Sequence, residues 1–241
     1  MRVSLFITCL VDQLAPQVGV STVEVLRRMD CEVVFDERQT CCGQPAFNTG
    51  YRSEAQKFAK RFIEIFEEAD AEAIVSPSGS CTAMVKHFYE LFPDDANWRQ
   101  RAEDIAAKTH ELGGFLVNVL KTENVGASFK GKVTWHDACH GLRELGLRDE
   151  PRRLLKNVRS AEFIELPNAD SCCGFGGTFS VKFPEISVAI LDNKINSIDA
   201  TGVRAVVSGD ASCLMQIGGR LSRLGSKVKT MHLAEILASQ E

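Results

Sequence analysis

The segment Ser171-Cys172-Cys173-Gly174-Phe175-Gly176-Gly177 has an earlier echo in Thr40-Cys41-Cys42-Gly43-Gln44-Pro45. Each vicinal pair sits in a matching frame of single cysteines. Cys9 lies 32 residues before Cys41 and Cys139 lies 33 before Cys172. Cys81 lies 39 after Cys42, and Cys213 lies 40 after Cys173. Eight of the nine cysteines therefore form two quartets in one order, offset by about 130 residues, which is the mark of an internal duplication. The ninth, Cys31, has no counterpart in the second half and reads as a small core hydrophobe.

Working outward, apolar runs over 2–8, 31–35 and 73–75 read as strands in the first half, matched by 132–138, 161–166 and 203–208 in the second. Between them lie helical patterns: from Pro16 to Met29, from Tyr51 to Ala69, from about Thr82 to Phe92, over about 150–158, from Pro184 to about Ile198 and from Leu214 to about Leu224. Residues 98–120 read as one or two helices interrupted at Gly113-Gly114, and a short strand near Val228 precedes a C-terminal helix. The polar stretch from Thr122 to Gly131 places the boundary between domains 1–125 and 126–241. Alternating strands and helices predict an α/β fold: two similar domains with mainly parallel sheets, related by pseudo-twofold symmetry. In open parallel sheets ligands bind at the C-terminal strand ends. Every quartet cysteine follows a strand end, so four residues spread along each half can meet at one point.

The chain has 241 residues, 44% of them hydrophobic, with a net charge of −4 and no basic run of the kind that marks nucleic-acid or membrane-surface binding. No apolar stretch approaches the ~18 residues of a membrane helix. Val3 to Val11 imitates a short signal-peptide core, but the duplication argues against cleavage, since removing it would strip Cys9 from the first quartet. A cytoplasmic location follows, where thiols stay reduced and such cysteine density points to metal or catalysis rather than disulfides.

Four converging thiolates suit an iron-sulfur cluster or zinc. Structural zinc sites usually bring ligands in close C-x2-4-C pairs, whereas each quartet here has one vicinal pair and two distant singles, which favours the wider iron-sulfur group. Adjacent side chains of a strand point to opposite faces, so both members of a pair serve one centre only from an irregular turn, which Gly43 and Gly174 permit. Gly176 and Gly177 suit close backbone approach to a cofactor better than a phosphate loop, because the P-loop lysine is missing. A thiol or disulfide oxidoreductase is the other reading of the vicinal pairs, although no C-x-x-C is present. His136, Asp137 and His140 flank Cys139, where the first half has Phe6, Ile7 and Leu10. They read either as outer-sphere or proton-coupling groups or as loop caps. His87, His110 and His232 fall on apparent helices away from cysteines. Arg143, Arg148, Arg152 and Arg153 form a basic run that reads as a solvated face or a dock for an acidic partner.

A lone cysteine, a Cys-Cys-Gly triplet and a later cysteine, in tandem, resemble the cysteine-rich CCG domains of the heterodisulfide reductase B subunit and of glycolate oxidase iron-sulfur subunits. With His136-Asp137-Ala138-Cys139-His140 as a further match, a chain of this length most resembles the lactate utilisation protein A family. That resemblance implies an iron-sulfur subunit of a complex oxidising L-lactate to pyruvate, working beside a ferredoxin-like iron-sulfur protein and a third subunit. Each domain of the heterodisulfide reductase pattern ends in C-x-x-C, but here that first position is Ser78 in one half and Asp210 in the other. Four cysteines per half imply one 4Fe-4S cluster each, held by Cys9, Cys41, Cys42 and Cys81 and by Cys139, Cys172, Cys173 and Cys213, with a zinc-stabilised scaffold as the alternative.

Overall fold

The computed structural model describes residues 1–241, which divide into two compact units, Met1–Leu112 and Gly113–Glu241. In the first unit β1 (Arg2–Leu5) leads into α1 (Cys9–Leu14) and α2 (Pro16–Arg28), then β2 (Glu32–Val34), α3 (Gln44–Asn48) and α4 (Arg52–Glu68). β3 (Ala73–Ser76), α5 (Gly79–Lys86), a 3-10 turn at Phe88–Leu91, α6 (Ala96–Lys108) and β4 (Thr109–Glu111) complete it. A short turn, α7 (Leu112–Gly114), continues as a π-helical Phe115–Val119. The second unit runs β5 (Ser128–Trp135), α8 (Cys139–Arg143), α9 (Glu150–Lys156), β6 (Arg159–Phe163), α10 (Thr178–Lys182), α11 (Pro184–Asp199), β7 (Ala205–Ser208), α12 (Ala211–Arg223), β8 (Lys229–His232) and α13 (Leu233–Ala238).

The two sheets have one topology. Strand order is β2-β1-β3-β4 in the first and β6-β5-β7-β8 in the second, and every pairing is parallel. The central strands explain this: β3 (Ala-Ile-Val-Ser) and β7 (Ala-Val-Val-Ser) are buried along their whole length, as strands covered by helices on both faces must be. From β1 the chain moves outward to β2 and then crosses back to β3, so β1 and β3 flank the switch point where open sheets bind ligands. β5 and β7 flank it in the second unit.

Two expectations are corrected. Residues 98–120 were expected to be helical, but α6 stops at Lys108 and Thr109–Glu111 pair with β3 as an edge strand. Three residues are too few to display alternation, and the bonding that makes them a strand comes from β3. His110 therefore sits on a strand, and His232 ends β8 and caps α13, its Nδ1 accepting from the Ala234 N–H at 3.1 Å. Both had been expected on helices.

The first core is built on aromatic contacts. Phe62 of α4 meets Phe6 edge-on at 4.8 Å, Phe88 at 5.4 Å and Phe66 in a stack at 4.3 Å, in the same buried cluster as Cys42 and Cys81. Phe62→Ala is expected to destabilise the first unit by about 3–5 kcal/mol, through lost burial and an unfilled cavity. A drop in urea midpoint checks this; a variant unfolding within about 1 kcal/mol of the parent would show that the site collapses.

Candidate metal centres

Each quartet is assembled at the C-terminal edge of its sheet. Cys9 opens α1 just past β1, Cys41 and Cys42 occupy the loop after β2, and Cys81 lies in the first turn of α5 just past β3. Cys139, Cys172, Cys173 and Cys213 hold the matching places after β5, β6 and β7. All nine cysteines are free thiols. In the first unit Cys9 Sγ lies 3.6 Å from Cys41 Sγ, and Cys42 Sγ lies 3.3 Å from Cys81 Sγ. Cys41 and Cys42 are adjacent in the chain, so the two sulfur pairs lie side by side. In the second unit the sulfurs of Cys173 and Cys213 lie within 4.8 Å of one another, Cys172 is the neighbour of Cys173, and Cys139 lies close enough to Cys172 to feel its charge.

The turn geometry answers how adjacent cysteines serve one centre. Gly43 and Gly174 take φ of +82° and +84°, left-handed backbone that turns the chain directly after each pair. Their N–H groups donate back to sulfur, Gly43 to Cys41 at 3.4 Å and Gly174 to Cys172 at 3.2 Å. Gly176 and Gly177 continue the second loop, also at positive φ.

Protons are unevenly held. Hydrogen bonds from Cys42 and Cys9, with the Gly43 N–H, hold Cys41 well below the ordinary thiol range. Bonding to Cys41, together with burial, pushes Cys9 and Cys42 up. Cys172 is raised by its bond to Cys173 and by burial, and Cys139 by burial. Metal-free quartets therefore retain protons that a bound cation displaces. The donor set, soft thiols sharing one sheet edge, fits a thiophilic metal group.

The histidines and Asp137 have different surroundings. Asp137 is 3% exposed; it accepts from Trp135 Nε1 at 2.7 Å and from Arg152 at 2.9 and 2.8 Å. His140 Nδ1 faces Glu144 Oε1 at 2.5 Å near the surface. His136 is 1% exposed, neither ring nitrogen has a hydrogen-bond partner, and the ring shares one pocket with Cys173 and Cys213, the three ligand atoms within 4.8 Å of one another. Arg152 of the basic run is spent on Asp137 and Glu165, and Arg153 pairs with Glu123. Lys194 escaped the sequence reading. It is fully buried in α11 and donates to the carbonyls of Asn168 (2.7 Å) and Ala169 (3.1 Å), and burial lowers its pKa to about 8.

The model of the cysteine-rich domain family termed CCG matches residues 3–86 and 133–218, one segment in each unit. A lactate utilization protein A from Exiguobacterium is 53% identical over 236 residues, covering 98% of this chain and 96% of that protein. One from Bacillus subtilis is 51% identical over 240 residues, with both chains covered completely. The chain belongs to the lactate utilization protein A family. A glutamate racemase structure from Francisella tularensis overlays with a TM-score of 0.41 at 14% identity, covering 98% of this chain and 78% of that one, a likeness too low to transfer any chemistry. The family's two domains coincide with the two quartets, since each matched segment contains all four cysteines of its half. No helix is long and apolar enough to cross a membrane.

Proposed function

We propose that each quartet holds one 4Fe-4S cluster, and that the chain is the electron-transfer subunit of a complex oxidising L-lactate to pyruvate. The observation that carries this reading is the convergence of four free thiols at the switch-point edge of each of two like-built sheets. The names of the relatives supply the substrate. When bound, such clusters carry one electron each, so two per chain match the two electrons released when a 2-hydroxy acid becomes a 2-keto acid. The chain's own residues would position and tune the groups: the vicinal pairs grip from a tight turn, and the Gly43 and Gly174 amides donate to sulfur. Partners, a ferredoxin-like iron-sulfur protein and a third subunit, would handle the acid and the onward acceptor.

One observation favours zinc as the second reading. Sulfur separations of 3.3 and 3.6 Å are near the ~3.8 Å that a tetrahedral zinc with ~2.3 Å bonds requires. Anaerobic purification with iron, zinc and acid-labile sulfide analysis separates the two. About eight irons and eight sulfides per chain, with a dithionite-induced EPR signal, are expected; zinc without sulfide would overturn the cluster reading. Cys42→Ser and Cys173→Ser are each expected to lose about half of the bound iron with the fold retained, because each change disables one quartet. Undiminished iron in both variants would remove these cysteines from the ligand set.

A further inference from the structure

The two metal pockets differ at two equivalent positions, one at the end of the first strand of each sheet's central pair and one on the helix behind it. β1 and β5 hold equivalent registers against β3 and β7: the Phe6 N–H donates to the Val75 carbonyl at 2.9 Å, and the His136 N–H donates to the Val207 carbonyl at 2.8 Å. The helices behind them align as well, since the turn glycines Gly43 and Gly174 back onto the carbonyls of Ala55 and Ser187 respectively. Seven residues further along, Phe62 occupies the first unit and Lys194 the second. The edge-on Phe6 and Phe62 pair of the first unit is thus replaced by His136 and Lys194. Both replacements are buried almost completely.

A histidine and a lysine in place of two edge-on aromatic rings are unfavourable unless something uses them. Burying an imidazole with both nitrogens unpartnered leaves the desolvation cost of each unmet bond uncompensated. The backbone allows no escape, because the His136 N–H is bound to Val207 and its carbonyl accepts from Ser208 Oγ at 3.0 Å. The Ala169 carbonyl influences the ring without hydrogen-bond geometry, and it already accepts from the Asp137 N–H at 3.1 Å and Lys194 Nζ at 3.1 Å. The ring is therefore held in the interior with no protein partner for either nitrogen. Its remaining neighbours are the sulfurs of Cys173 and Cys213.

We propose that His136 is a direct metal ligand in the second unit, joining the buried Cys173 and Cys213 and taking the place of one of the two less buried cysteines, Cys139 or Cys172, so that the chain carries one all-cysteine centre and one mixed cysteine-histidine centre. Lys194 positions the site from behind, tying down the 168–169 carbonyls and supplying a positive charge beside the thiolates. A neutral imidazole leaves the centre less negative than a thiolate does, and a less negative cluster is easier to reduce. With iron-sulfur groups bound, the second unit would therefore be the electron sink of the pair. This last step rests on the proposed cluster chemistry; the ligation itself does not.

The test uses the anaerobically purified full-length chain, unlabelled and with 15N-histidine, as parent, as His136→Phe and as His136→Cys. The phenylalanine copies the first unit, and circular dichroism checks that each variant folds. In the dithionite-reduced parent, pulsed EPR is expected to show histidine nitrogen coupled to one of two clusters, and His136→Phe to abolish that coupling. His136→Cys is expected to retain the metal and shift that centre to lower potential, leaving the other unchanged. Absent histidine coupling in the parent, or coupling that persists in His136→Phe, overturns the assignment. Zinc without sulfide would defeat the cluster reading alone. Cobalt(II) substitution would then report the donors: visible bands that change in His136→Phe support ligation, and bands identical to the parent's overturn it.

Discussion

Gly174→Ala is expected to destabilise the second unit by more than about 4 kcal/mol and to empty its metal centre. At φ +84° an L side chain is strained by about 1–2 kcal/mol. The steric problem is larger, because an added Cβ would sit 2.4 Å from the Ser187 carbonyl oxygen and 3.4 Å from the Leu191 nitrogen. Both are backbone atoms of α11, so no side-chain rotation relieves the clash. The helix is also held in place: Ser187 Oγ donates to the Gly174 carbonyl at 2.8 Å and accepts from Gln216 at 3.0 Å, and Arg220 grips Asp192 at 2.6 and 2.9 Å. The loop has to move, carrying Cys172 and Cys173 with it. Gly177→Ala is the control. It has φ +62° with ψ −117° and nothing within 4 Å of the new carbon, so it should cost only the backbone strain, about 1–3 kcal/mol, and keep its metal. Urea midpoints and bound metal per chain read both. Equal behaviour of the two variants would refute the close-packing argument.

Arg152→Ala should cost about 3–5 kcal/mol, measured as a fall in denaturation midpoint, because it strands a buried carboxylate. Asp137 would keep only the Trp135 indole N–H. Its ion pair is unlike the other salt bridges of the chain, most of which join exposed side chains worth little individually. Here the side chains are 12% and 2% exposed, and two parallel bonds fix the geometry. Since Asp137 lies two residues before Cys139, metal content should fall alongside stability. The pair Arg152→Met with Asp137→Leu is expected to recover most of the loss, as apolar replacements of buried ion pairs commonly do. A loss below about 1 kcal/mol in Arg152→Ala alone would mean that water reaches Asp137 when the arginine is gone.

The cysteine spacing made the duplication, the parallel sheets and the clustering of thiols at strand ends legible, because a ligand set repeated in register survives even where the surrounding sequence has diverged. β4 was hidden: Thr109, His110 and Glu111 are polar, and their strand character comes from the β3 edge beside them. The π-helical stretch Phe115–Val119 and the short helices that begin at Cys9 and Cys139 likewise have no periodicity long enough to read. Lys194 was missed for a different reason. In α11 it resembles a solvent-facing lysine on an amphipathic helix, and only alignment with Phe62 through the two turn glycines reveals that it points inward. Asp137 and Arg152 were both noticed in the sequence, but nothing in their spacing says that they face each other.

Ser78 and Asp210 stand where a heterodisulfide reductase domain would carry a further cysteine, and in this chain both are helix N-caps. Ser78 Oγ accepts from the Cys81 N–H at 3.3 Å, and Asp210 Oδ1 accepts from the Ser212 N–H at 3.2 Å. One position per unit can thus serve the helix or the metal, and the side chain found there decides which. Cap loss costs about 1 kcal/mol, so a single codon separates a four-thiol pocket from a five-thiol one at a modest stability cost. The scaffold is a chassis on which the number of thiols at the pocket can be changed without rebuilding the fold, and Ser78→Cys is the simplest place to begin such a redesign.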